Sequence, residues 1–188
     1  MRTATPTRFV PRGRRPPPQE PQVTLRPWAA GDLELLERLM GDPRMTEHFG
    51  GPETREKLRA RHERYVAIAG TGKGAMFVIC AGPDAEAVGS IGYWELEWAG
   101  ETAWETGWSV VPEWQGEGIA TRAAVLALEK AQAEGKHRSI HAFPAFENEA
   151  SNAVCRKAGF TLVGECQVEF PPGRPMRAND WVVAGRGS

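Results

Sequence analysis

The chain's densest chemistry lies between Trp104 and Ala131. Here a strand ended by Pro112 is followed by Gln115-Gly116-Glu117-Gly118-Ile119-Ala120 and then by a long helix. Tryptophan and β-branched residues favour the strand, and a proline cannot donate to a ladder. Ile119, Ala120, Ala123, Ala124, Ala127, Leu128 and Ala131 recur at helical steps and form a core stripe. A strand, a turn of bare backbone and a helix start together make a seat for an anion. The first helical N–H groups lack intrahelical partners and the helix dipole is positive there. Glycine lets a diphosphate reach those amides without meeting a Cβ.

Two familiar phosphate loops do not fit. A dinucleotide loop needs G-x-G-x-x-G, but Gly116 and Gly118 are followed by Thr121 rather than a third glycine. A P-loop needs G-x-x-x-x-G-K-[ST]. At Gly72-Lys73, Ala67 stands in the first glycine's place and Gly74 in that of the hydroxyl residue. His137 and His141 fall on a predicted strand, where they share a face but lack a third ligand, so no metal site is expected.

Several elements must position this seat. Val23 to Pro27 reads as a short first strand. Gly31-Asp32 opens a helix with Leu33, Leu35, Leu36, Leu39 and Met40 on its apolar face and Asp32 as its cap. Asp42-Pro43 predicts a second short helix through Met45 to Phe49. Pro52 begins a third, with Leu58, Tyr65 and Ile68 inward. Met76–Cys80, Val88–Trp98 and Thr102–Val111 read as an antiparallel meander. Trp94, Trp98, Trp104 and Trp108 alternate, so several should share a sheet face. After the long helix, Arg138 to Phe143 is a strand parallel to the Trp104 strand, because a helix connects them. Asn148 to Phe160 is a helix with a polar cap and Gly159 at the left-handed stop. Strands then run from Phe160 to Gly164 and from Glu165 to Phe170. A loop follows from Pro171 to Asn179, and a last strand runs from Asp180 to Ala184.

Composition narrows the class. The chain has 188 residues, enough for one domain with a real core. Its 23 basic and 24 acidic residues nearly balance, so total charge predicts neither nucleic acid nor an acidic membrane as partner. Three scattered cysteines make no disulfide framework, which suggests a reduced, cytoplasmic setting. No apolar run is long enough to span a bilayer, and the arginines near the N-terminus precede no secretory apolar block. Residues 1–21, rich in arginine and proline, are expected to be a disordered tail ahead of one domain over 22–188. A basic RNA-binding arm is the alternative for that tail; a solvated extension is favoured.

Gln115-Gly116-Glu117-Gly118-Ile119-Ala120 resembles the acyl-CoA signature Q/R-x-x-G-x-G/A of the GCN5-related N-acetyltransferases. Its lead-in, Glu105-Thr-Gly-Trp-Ser-Val-Val-Pro, looks like the ribosomal-protein N-terminal acetyltransferase (RimJ/RimL-type) branch. Asn148-x-x-Ser151 through Lys157-x-Gly159-Phe160 resembles the family's second motif. The resemblance implies an α/β (α+β) fold: a mixed, mostly antiparallel sheet of six to seven strands with a splayed parallel pair, flanked by helices. It implies acetyl-CoA as cosubstrate, an amine acceptor, no metal, no nucleic acid or membrane partner, and a monomer or homodimer.

Site residues follow from the same resemblance. Gln115, Gly116, Glu117, Gly118, Ile119, Ala120 and Thr121 would hold the diphosphate. Ser109, Val110 and Val111 would pair with the pantetheine arm, with Val110 and Val111 donating N–H groups to the thioester oxygen, and Asn148 and Ser151 would bond the same arm. Many relatives place a tyrosine five residues before the final phenylalanine to protonate the leaving thiolate. Here that position is Cys155, a shorter and weaker donor, and release through water or as bare thiolate stays open. His48, Phe49, Trp94 and Trp108 are substrate candidates, and Arg174 or Arg177 could hold an acceptor carboxylate. Attack needs a neutral amine, and Glu105 is the candidate base, acting through water or on an extended acceptor because it lies several residues up the strand. The competing reading is an acyl-CoA-binding sensor of the same fold with little turnover.

Overall fold

The computed structural model describes residues 22–47 and 50–187. The expected tail and the two substrate candidates His48 and Phe49 lie outside the described residues. Eleven elements follow in chain order: β1 Val23–Pro27, α1 Leu33–Met40, α2 Arg55–Ala67, β2 Gly74–Ala81, β3 Glu86–Trp98, β4 Glu101–Val110, α3 Ile119–Glu134, β5 Ser139–Ala142, α4 Glu149–Lys157, β6 Thr161–Glu169 and β7 Pro175–Ala184. They build one seven-stranded sheet in the order β1-β2-β3-β4-β5-β7-β6. Every neighbouring pair is antiparallel except β4–β5. The fold is the expected one.

The parallel pair is short. β4 pairs with β3 along its whole length, from Trp98↔Glu101 to Gly89↔Val110. With β5 it pairs only at Trp104↔Ile140 and Glu105↔His141. Pro144 soon follows β5 and cannot extend the ladder. Beyond Glu105, therefore, β4 runs on without a partner on its β5 side.

The core sits where the apolar stripe predicted. Ile119, Ala123, Ala124, Ala127, Leu128 and Ala131 of α3 are buried against Ile79, Ile91, Trp104 and Ile140 of the sheet. Four alanines in that stripe let the helix lie close to the strands. The tryptophans divide by parity. Trp104 and Trp108 share one face of β4, while Trp94 and Trp98 of β3 share the other with Glu105.

Four local expectations need correction. Of the expected helix through Phe49, residues 43–46 form turns, as Thr46 Oγ1 and its own N–H bond back to Asp42 and Pro43 carbonyls, and its last two residues lie outside the described residues. The next helix starts at Arg55, capped by Thr54, and not at Pro52. Asp32 stands at the N-cap of α1, but its carboxylate turns back to the Ala29 N–H at 2.8 Å and pairs with Arg26 at 2.6 Å. That guanidinium holds Asp32 below the usual carboxylate range. Finally, the loop after Phe170 is shorter than expected, because β7 begins at Pro175, and β6 is one strand with an irregularity between Leu162 and Gly164.

The β6–β7 hairpin tip reaches across to the helical side. The Arg61 guanidinium of α2, paired with Glu53, lies 5.8 Å from the Phe170 ring centre. Arg174 packs against Gly50. Hairpin, α2 and the turn before it thus wall one end of the sheet. No helix among the described residues is long and apolar enough to cross a membrane.

Candidate active site

Gly116 and Gly118 both adopt positive φ, at 83° and 79°, where a Cβ would be strained. Gly118 is the N-cap of α3 and has no side chain to cap it. The first intrahelical bond runs from the Arg122 N–H to the Gly118 carbonyl at 3.0 Å. Among the described residues, none of the N–H groups from Gly116 to Thr121 donates to a protein acceptor. Six consecutive amides at a helix start suit an oxyanion such as a diphosphate. Ile119 anchors the turn in the core, Ala120 and Thr121 are half-buried, and Glu117 is exposed.

Gln115 behaves differently from the rest of its loop. Its Nε2 donates to the Val110 carbonyl at 2.8 Å and touches the Met45 sulfur at 3.3 Å. It ties the loop to the splayed end of β4. There the strand's alternation divides the two valine amides. Val111 N–H donates to the Val88 carbonyl at 2.9 Å, so the sheet takes it. Val110, one residue earlier, faces the opposite edge, where β5 no longer pairs. Of the two expected donors, Val110 alone offers an N–H to a carbonyl lying in the splay. Ser109 is buried and pairs with Ser90 on β3.

The second motif is a tied-down helix. Asn148 Oδ1 caps α4 by accepting from the Ser151 N–H at 3.0 Å. Asn152, which the sequence reading passed over, is the buried hub. Its Nδ2 donates to the Ala145 and Asn148 carbonyls, and its Oδ1 accepts from Asn179 and from Trp181 Nε1. The N-x-x-S spacing draws attention to its ends, although a buried asparagine inside a helix is itself a signal. Cys155 is fully buried, and burial pushes its thiol up to about 12. Such a thiol is a poor proton donor at neutral pH.

Glu105 lies on the opposite face from Trp104 and Trp108. Trp94 Nε1 donates to its Oε2 at 2.9 Å. Gly107 makes room for this, since a Cβ there would meet the Trp94 ring at 3.1 Å. Burial raises the Glu105 carboxyl above its ordinary range, while the Trp94 N–H and the charge of His141 oppose that rise. His141 is the Glu105 partner on β5. Its Nδ1 stands 2.7 Å from Asp180 Oδ1 and its Nε2 3.1 Å from Ser139 Oγ. Trp98 Nε1 donates to the other Asp180 oxygen at 3.0 Å. Phe143 stacks on His141 and tilts against Trp98. The sequence reading does not link His141 and Asp180 to Glu105, because His141 meets it only through strand pairing and Asp180 only through His141. Among the described residues no group of three or more His, Cys, Asp or Glu side chains is arranged to hold a metal. Trp108 does not join Trp94, being on the other face. Arg177 is engaged by Glu165 at 2.6 Å and stacks on Phe146.

Comparison with known proteins bears on this geometry. Residues 22–161 match the model of an acetyltransferase (GNAT) domain. No curated protein sequence matches. Among solved structures, an acetyltransferase of the GNAT family from Bacillus anthracis is similar at TM-score 0.70 and 22% identity, over 86% of this chain and 94% of that one. Spermidine N-acetyltransferase from Vibrio cholerae, in complex with CoA and spermine, is similar at 0.69 and 22%, over 87% and 95%. RimL, a ribosomal L7/L12 alpha-N-protein acetyltransferase in complex with coenzyme A, is similar at 0.71 and 21%, over 88% and 96%. At these identities the structural likeness speaks for the fold, whereas the family model covers most of the chain and both motifs. The chain belongs to the GNAT acetyltransferase family.

Proposed function

We propose that this protein moves an acetyl group from acetyl-CoA directly to a primary amine, on a small molecule or on a protein or peptide N-terminus, as in the RimJ/RimL-type branch. The observation that carries the reading is the run of amides from Gly116 to Thr121 without acceptors among the described residues, beside the splayed end of β4. Bound acetyl-CoA would supply a thioester, an acyl group already activated for transfer. The amides at the start of α3 hold its diphosphate, and Gly116 and Gly118 keep side chains out of the way. Val110 N–H donates where negative charge develops on the thioester oxygen. α4 lines the arm with Ser151, held in place by Asn152.

Glu105 takes a proton from the incoming ammonium. A lysine-like amine has a reference pKa near 10.4 and an α-amine near 8, so a base is needed at neutral pH. Glu105 precedes Val110 by five residues. At about 3.3 Å per residue it stands roughly 16 Å up the strand, so it acts through water or on an acceptor lying along the Trp94 face. Cys155 is too buried to reach the leaving thiolate, and the thiolate then takes its proton from water.

The test is coenzyme release with a panel of amines: polyamines, aminoglycosides and peptide N-termini. Steady release with one class supports the reading. Tight binding of coenzyme A with no release from any amine would favour the sensor instead.

A further inference from the structure

Gln115 stands at the edge of the diphosphate seat, yet its donors turn inward. Its backbone N–H donates to the Pro112 carbonyl at 3.2 Å. Its side-chain Nε2 donates to the Val110 carbonyl at 2.8 Å and to Met45 Sδ at 3.3 Å. Backbone and side-chain donors alike are engaged, unlike the open amides that begin at Gly116.

The partners of Gln115 lie on the strand end. The peptide unit between Val110 and Val111 is held from opposite edges. Gln115 takes its carbonyl on the side where β5 no longer pairs, and Val88 of β3 takes its N–H at 2.9 Å. Past it, the Trp114 N–H donates to the Val111 carbonyl at 3.0 Å. Residues 111–115 thus form a self-bonded link, and the Gln115 side chain closes that link back onto β4. The link separates the Val110 N–H, which meets the thioester oxygen in the reading above, from Gly116, the first open amide of the seat. One cosubstrate has to reach both ends at once, so their spacing decides where its carbonyl falls.

We propose that Gln115 is a positioning residue and not a ligand of the diphosphate: its side-chain amide stands in for the absent β5 partner at Val110 and fixes the strand end relative to the seat, so that the bound thioester carbonyl falls on the Val110 N–H. The proposal rests on the acetyl-transfer reading. A diphosphate ligand would contribute to affinity for coenzyme A. A staple that stays closed acts on the alignment of the reacting carbonyl, and so on kcat.

The test uses the full chain. Gln115→Met keeps the length of the side chain but has no N–H, and Gln115→Leu carries the same test with a second shape. Gln115 is exposed, so neither variant disturbs the core. In both, kcat with saturating acetyl-CoA and a primary amine should fall about fivefold, roughly the effect of one net hydrogen bond. Calorimetric affinity for coenzyme A should stay within about twofold of the wild type. A larger loss of affinity, or an unchanged kcat, overturns the proposal. An NMR measurement is independent of turnover. The Gln115 side-chain amide protons, identified by their disappearance in Gln115→Met, should exchange with solvent no faster when coenzyme A is added. Faster exchange would mean that the pantetheine arm takes the Val110 carbonyl from Gln115, and overturns the proposal as well. Absence of coenzyme release by the wild type with any amine strikes the acetyl-transfer reading itself, whereas the variant and exchange results strike only the role of Gln115.

Discussion

The anion seat at the start of α3 is made of backbone, whereas the face around Glu105 is made of side chains from four strands. In the seat, two positive-φ glycines and a helix start present amides from one continuous segment. On the Glu105 face, Trp94 and Trp98 of β3, Glu105 of β4, His141 of β5 and Asp180 of β7 converge from positions up to 86 residues apart, between 94 and 180. The first arrangement is indifferent to most side-chain identities but intolerant of a Cβ. The second depends on each side chain and on strand register. That difference fits a shared cosubstrate on one side and an acceptor that varies between relatives on the other.

The contrast can be broken at either end. Glu105→Gln should lower kcat by about a hundredfold or more at neutral pH, with the defect narrowing toward pH 10, where a lysine-like acceptor is neutral unaided. A pH-independent defect would remove Glu105 from proton transfer. Asn152→Ala should destabilise the protein by about 2 kcal/mol in chemical denaturation, since it leaves the buried Trp181 Nε1 and the part-buried Asn179 amide without their acceptor. No loss there would mean α4 is held by apolar packing alone. Gly118→Ala should weaken coenzyme A about tenfold while leaving kcat at saturation unchanged, because a left-handed alanine costs about 1–2 kcal/mol and misplaces the amides.

The smallest effect tests the Glu105 environment through stability. Its folded pKa is raised by burial, so the native state keeps a proton that the unfolded chain releases as pH rises. Native stability therefore falls as pH climbs through the unfolded carboxylate range, near 4.3. Glu105→Gln removes that fall. The variant should match the wild type in melting temperature at about pH 4 and exceed it at pH 7. The opposite order would place Glu105 in a setting that favours its charge.

How much could be read beforehand follows the same division. The strand, glycine turn and helix of the seat are local, so periodicity and turn chemistry reveal them, as they reveal the α3 stripe from Ile119 to Ala131. The β3–β4 meander and the parallel β5 are also legible, because connection type sets strand direction. What escaped is tertiary. The engagement of Val111 by Val88 depends on ladder parity, which a one-residue shift would invert. The Trp94–Glu105 pair depends on the register of the β3–β4 hairpin, and the His141–Asp180 pair joins segments distant in sequence. The turns over residues 43–46 show a third limit: a proline start and a few apolar residues do not outweigh short-range bonds to carbonyls in a tight turn.

The most direct measurement is calorimetric titration of the wild-type protein with coenzyme A and, separately, with pantetheine, which lacks the diphosphate. Coenzyme A should bind at least tenfold more tightly, because the 3′-phospho-ADP portion that pantetheine lacks carries the diphosphate seated on the amides between Gly116 and Thr121. Equal affinity for the two, or no heat with coenzyme A at all, would contradict the account.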